Sequence, residues 1–212
     1  MVIKRVLSSL FVFALASGTL LAQDAGLKVA HTTHSGPIKA AAPIGSAQLI
    51  FSNFGPAPAP YNDTTGYYVL GPTNSVGFSE QWIGVPFIPR ANAHVKALQV
   101  AVQWISGAQT IQVGLYSDNG GTVGSPLAVK EATVSSTFGT CCQTVNVLIP
   151  STAIARGSQY WIVASSDDVN APDFTGVFDA SATQIIAADE AVSGWFSFTT
   201  NTPAAAAWGT IP

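Results

Sequence analysis

The chain is poor in charge. Of its 212 residues only 9% are Asp, Glu, Lys or Arg, eight basic against 11 acidic, where an ordinary soluble domain has roughly 25%. So sparse and slightly acidic a balance leaves no basic patch for phosphates, which excludes nucleic acid and anionic lipid as expected partners. Cysteine is almost missing as well: Cys141 and Cys142 are the only two and are adjacent, which rules out a multi-bridge disulfide framework. There is no Gly-x-Ser-x-Gly elbow and no His-Glu-x-x-His motif, so no nucleophile or zinc site announces itself. Glu80, Glu131 and Glu190 are the only glutamates and fall on separate segments; nothing selects two of them for glycosidase chemistry. These absences argue against an enzyme and against a resident cofactor.

What is present points to strands. Helix-favouring Lys, Glu and Arg are scarce while Val, Thr, Phe, Trp and Tyr are plentiful, and 48% apolar residues suffice for one sizeable core. Lys4 and Arg5, the apolar stretch from Val6 to Leu21 and the small Ala22 resemble a secretory leader. The expected organisation is a signal peptide over 1–22, a flexible segment over 23–47, and one domain over 48–212. No apolar run long enough to span a membrane is expected once the leader is removed, and the localisation expected is extracellular. His31 and His34 in the flexible segment have metal-like spacing but no further ligand, and read as solvated side chains.

The clearest pattern lies over 97–121, ALQVAVQWISGAQTIQVGLYSDNGG. Leu98, Val100, Val102 and Trp104 alternate with Ala97, Gln99, Ala101 and Gln103, and Ile111, Val113 and Leu115 alternate with Gln112, Gly114 and Tyr116. Such alternation writes one face for a core and one for water, here read as two strands of a hairpin. Further strands are expected at Gln48 to Phe54, Tyr67 to Leu70, Gly77 to Phe87, Leu127 to Thr133 and Gln143 to Ile149. Gln159 to Ser165 is continuously apolar enough to be central and covered on both faces. Residues 166–183 read as loop, Gln184 to Ala188 pairs with Trp195 to Thr199, and Ala204 to Ile211 closes a sheet. Nine to eleven short strands at this spacing favour an all-β fold, a two-sheet antiparallel β-sandwich of jelly-roll type.

Several segments together carry a resemblance. FSNFGP at 51–56, SVGFSEQWIGVPFIP at 75–89, LYSDNGGTVGSPL at 115–127, QYWIVASSDD at 159–168 and AAWGT at 206–210 resemble the choice-of-anchor R domain family of bacterial secreted and surface proteins. The LYSDNGG turn followed by GSPL is its most specific piece. The resemblance implies an extracellular β-sandwich with no established catalysis, so no catalytic residue is carried over. With the ending NTPAAAAWGTIP, no C-terminal anchoring signal of the kind common in that family is expected, and free secretion or non-covalent retention is the expectation.

Four sets of residues are candidates for chemistry. Cys141 and Cys142 would form a strained vicinal disulfide, since adjacent Cα atoms lie closer than a disulfide usually spans. Asp118 and Asn119 offer oxygens to Ca²⁺, although Asp-Asn-Gly-Gly is also what a tight turn requires. Tyr67, Tyr68, Tyr116 and Trp195 are candidate surface aromatics for stacking on sugar rings, Tyr116 because it opposes the apolar face. The function expected is a secreted, non-catalytic interaction or extracellular-matrix module, with a carbohydrate-binding module as the alternative and a polysaccharide-active enzyme a more distant one. The partner is accordingly a glycan or a surface protein; oligomeric state and ligand identity are not written in the sequence.

Overall fold

A computed structural model describes residues 27–31, 44–55, 61, 65–72, 80–104, 109–135, 143–166, 174–177, 180–190 and 194–212. Among them there are thirteen strands and no helix: β1 (Val29–His31), β2 (Gln48–Ser52), β3 (Thr65–Val69), β4 (Trp82–Phe87), β5 (Ala93–Trp104), β6 (Thr110–Asp118), β7 (Val123–Thr133), β8 (Gln143–Ile154), β9 (Tyr160–Ser165), β10 (Phe174–Val177), β11 (Ala180–Glu190), β12 (Gly194–Thr202) and β13 (Ala205–Thr210). All pairs are antiparallel, in one six-stranded sheet ordered β12-β11-β4-β9-β6-β7 and one seven-stranded sheet. The chain is an all-β sandwich. The expected leader, His34, Cys141 and Cys142 lie outside the described residues.

The seven-stranded sheet divides around β5. Val102 pairs with Gly176 of β10 and with Gln143 of β8, so those strands flank β5 on opposite sides. On the β10 side, β13 covers His94 to Val100 and carries β2 beyond it. β10 takes over at Val102 and carries β3 and then β1. The main core fills the space between the sheets: Leu98, Val100 and Val102 from β5, Ile111, Val113 and Leu115 from β6, Val145, Val147 and Ile149 from β8, and Ile162 and Ala164 from β9. Each such Val, Leu or Ile side chain, once buried, contributes about 1.5–3 kcal/mol against leaving it in water.

Three expectations need correction. The strands of the expected hairpin do not pair: β5 lies in the seven-stranded sheet, and β6 in the other between β9 and β7. Their alternation points both apolar faces at one core from opposite walls, a pattern that a hairpin and a chain crossing between sheets write identically. Residues 166–183 are not all loop, because they contain β10 and the start of β11. The segment 23–47 contains β1, which pairs with β3. It is tied further by the buried Gln81, whose Oε1 accepts from Lys28 N at 2.8 Å and whose Nε2 donates to the carbonyls of Lys28 and Tyr68 at 3.1 and 2.8 Å.

Both outer faces carry apolar layers of their own. Over the seven-stranded sheet, Ile44, Ala47, Phe54 and Tyr61 cover Ala97, Ala101, Ala204, Ala206 and Trp208. Two fully buried glutamines of β5 lie on this face and differ in their partners. Gln99 Oε1 accepts from Trp208 Nε1 at 2.6 Å, whereas neither side-chain atom of Gln103 meets a partner among the described residues. A buried amide without partners is a net cost. Gln103→Met, similar in volume, is expected to raise stability by about 1 kcal/mol and Gln99→Met to lower it by about 2 kcal/mol, read from denaturant midpoints.

Candidate functional site: the cleft at the open sheet edge

β2 ends the seven-stranded sheet: β13 pairs with one side of it and no described strand with the other. Asn53 fastens its end, donating from Nδ2 to the carbonyl of Pro203 at 2.6 Å and accepting the N–H of Ala205 on Oδ1 at 2.7 Å. In the facing sheet β11 pairs with β4 only over Trp82 to Gly84, so the second half of β4 has no described neighbour on that side. Pro86 sits in that half, and a residue without an N–H is tolerated where no ladder bond is required. Among the described residues, then, two stretches of strand without a neighbour on one side lie close together, Phe51 of β2 meeting Phe87 of β4.

Between them is a cleft of about 660 Å³, walled by Leu49, Ile50, Phe51 and Ser52 on one side and Pro86, Phe87 and Ile88 on the other. Phe51 and Phe87, both in its lining, stack with centroids 5.0 Å apart, and Tyr160 abuts Phe87. Leu49 is 48% exposed and Ile88 56%, apolar surface left at the rim. Arg90 and Gln159 complete the lining, and Arg90 is its only ionisable side chain. Mostly apolar walls with a few polar groups at one place are the usual make-up of a binding cleft.

Arg90 has a definite end of the cleft. Gly209 of β13 pairs with Gln48 of β2 and Val95 of β5, and Thr210 with His94, so the Gln48 end of β2 is level with the beginning of β5. Arg90 lies in the connection 88–92 that leads into β5. Gln159 immediately precedes β9, whose Tyr160 pairs with Phe87. Its Nε2 is already committed, donating to Asp118 Oδ1 at 2.7 Å.

Asp118 and Asn119 form the turn between β6 and β7. Asp118 Oδ1 also accepts from Trp161 Nε1 at 2.8 Å, and Oδ2 accepts from Gly121 N at 3.0 Å. Asn119 N donates to the carbonyl of Thr122 at 2.9 Å, and the positive φ falls on Gly120 and Gly121 alone. Burial raises the Asp118 pKa, but hydrogen bonds from Gly121, Trp161, Gln159 and Gly120 outweigh it, and the carboxyl ends below its ordinary value. Both Asp118 carboxylate oxygens weighed for Ca²⁺ thus hold protein donors, and the described residues contain no group of three or more His, Cys, Asp or Glu able to hold a metal.

The expected surface aromatics are not gathered on an open platform. Tyr67 is 5% exposed and packs in the main core; its neighbour Tyr68 is half-buried. Tyr116 faces away from the main core as expected, yet is 8% exposed. It is sealed by a second cluster on the outer face of the six-stranded sheet, where Trp161, Val123 and Val163 are buried beside it and Trp82, Val129 and Trp195 pack against them. That burial pushes its phenol pKa up. Trp195 is half-buried at the margin of this cluster. Its alternating strands look polar because their apolar partners, Trp82, Trp161 and Trp195, come from distant parts of the chain.

Other candidate groups stay apart. Glu131 is on β7 and Glu190 on β11, with three strands between them, and Glu80 precedes β4. His94 is the second residue of β5 and lines a pocket of about 390 Å³ with Ala155, Tyr160 and Pro212. Sequence reasoning did not single out the cleft residues; Pro86 within a strand was the one local sign of an edge. Among the described residues, no helix is long and apolar enough to cross a membrane. No family model matches the chain, nor does any curated protein or solved structure.

Proposed function

We propose that the protein is a non-catalytic interaction module of the bacterial cell exterior, and that it binds by accepting an extended polypeptide segment along the open edge of β2. The leader-like stretch over 1–22 and the likeness of several sequence segments to the choice-of-anchor R domain family support the location. The carrying observation is the apolar cleft bounded by the edges of β2 and of the second half of β4 that no described strand pairs with. An unpaired edge offers main-chain donors and acceptors that give affinity to any extended chain, while side-chain pockets beside it give selectivity. A cleft with one ionisable lining group suits binding better than acid–base turnover.

The test is selection of octapeptides with free C-termini from a random display library on the immobilised domain, followed by hydrogen exchange with the best binder. Slowed exchange at the amides of Gln48 to Ser52 is expected, and Leu49→Lys, which sets a charge at the rim, should weaken binding at least tenfold. A library without binders, or a footprint elsewhere, overturns the reading. The carbohydrate alternative rests on the half-buried Trp82 and Trp195 of the outer aromatic cluster. Glycan-array binding lost in Trp195→Ala would favour it.

A further inference from the structure

The two ends of the cleft differ, and the difference selects one kind of segment. Along Leu49 to Phe51 and Pro86 to Ile88 the walls are almost wholly apolar. At the Gln48 end stands Arg90, exposed, with no ion pair among the described residues. Among the described lining residues it is the one cation, and no carboxylate stands with it to answer its charge. Beyond Gln48 the sheet stops: residues 44–47 make a turn closed by Ala47 N donating to the carbonyl of Ile44 at 3.1 Å. A segment paired with β2 finds no ladder to continue along at this end.

An antiparallel guest would match the rest of the fold. Every described strand pair is antiparallel, and a strand laid antiparallel on β2 runs from Ser52 toward Gln48. It brings its C-terminal end to Arg90. We propose that the cleft takes the C-terminus of an extended, apolar polypeptide segment, paired antiparallel with β2, its terminal carboxylate held by the Arg90 guanidinium. The proposal rests on strand addition at β2 and adds to it the polarity of the guest and the group that ends it. Apolar side chains of the guest fill the space over Phe51 and Phe87. A guanidinium answers a carboxylate with two parallel N–H donors, a match an ammonium cannot reproduce.

The experiment compares the selected octapeptide as free acid and as C-terminal amide, on the wild-type domain and on Arg90→Gln and Arg90→Lys. The expected result is about tenfold weaker binding on amidation for wild type. For Arg90→Gln acid and amide should bind alike, with Arg90→Lys between. Arg90 is exposed, so equal unfolding midpoints should accompany these changes. If the peptide slows exchange at Gln48 to Ser52 but ignores amidation, or responds to it equally in Arg90→Gln, this proposal falls and strand addition stands. If the peptide leaves those amides unprotected, both fall. Protection of Gln48 to Ser52 that rises with protein concentration in the absence of peptide would mean that a second copy fills the edge, and would overturn the proposal.

Discussion

Gly209→Ala is expected to lower the stability of the domain by about 3 kcal/mol, near the upper end of overpacking costs. Gly209 lies on β13, held between β2 and β5, at a register shift in the β13–β5 ladder. A Cβ built there would run into the carbonyl oxygen of His94, with the carbonyl carbon at 2.8 Å and Ile50 Cδ1 at 3.0 Å. The obstruction is backbone, which no side-chain rotamer can relieve. β13 would have to separate from β5, breaking ladder bonds and uncovering Ala205 and Ala207 of the main core. Denaturant unfolding should show a lower midpoint at unchanged slope. Thr210→Ala, one residue on and exposed, should stay within about 0.5 kcal/mol of wild type. Because β2 reaches the sheet only through β13, Gly209→Ala should also weaken peptide binding, whereas Thr210→Ala should not.

The strand elements were legible because side-chain alternation is a local property, set by the pleat. Leu98, Val100 and Val102, or Val145, Val147 and Ile149, declare their inward faces without reference to any other strand, and those faces do meet in the main core. The continuous apolar run at Tyr160 to Ser165 likewise declares a strand covered twice, and β9 lies between β4 and β6 with Trp161 and Val163 buried on its outer side. Alternation fixes which face a residue occupies and leaves open which strand lies beside it. That is why the adjacent strands β5 and β6 read as a hairpin although they belong to opposite walls.

The candidate site depends on that missing information. Gln48 to Ser52 is recognisable as a strand, but its being an edge follows from strand order, and the facing gap exists because β11 stops pairing with β4 at Gly84. Burial of Tyr116 was hidden for a related reason. Gln112, Gly114 and Tyr116 look like a solvent face until Trp82, Trp161 and Trp195, from three other strands, are brought over it. Gly114 contributes by its lack of a side chain: a Cβ there would stand 2.6 Å from the Tyr116 ring and 2.8 Å from Val129 Cγ2, so the small residue makes room for the ring to lie down.

Asp118→Ala is expected to cost about 2 kcal/mol, chiefly through Trp161. That indole is only 1% exposed, and its Nε1 has its hydrogen bond to Asp118 Oδ1; removal of the carboxylate strands a buried donor, a loss of about 1–3 kcal/mol. The turn loses the Gly121 N–H acceptor at the same time, and Gln159 is released from its tether at the cleft. Asp118→Asn separates the contributions. Its amide oxygen can still accept from Trp161 and Gln159, but its NH₂ would oppose Gly121 N, so it should fall between alanine and wild type. The pH dependence has a defined sign. Because the folded-state pKa lies below the ordinary value of 3.8, the carboxylate contributes fully above that value and its contribution is lost as pH falls through the lower, folded-state pKa. Wild type should therefore lose part of its advantage over Asp118→Ala below about pH 4, in a comparison of denaturant midpoints at pH 7 and pH 3. A difference between the two proteins that did not narrow with acid would mean that the neutral carboxyl serves Trp161 and Gly121 as well as the carboxylate does, and no difference at either pH would mean that the turn is held by Gly120, Gly121 and Asn119 alone.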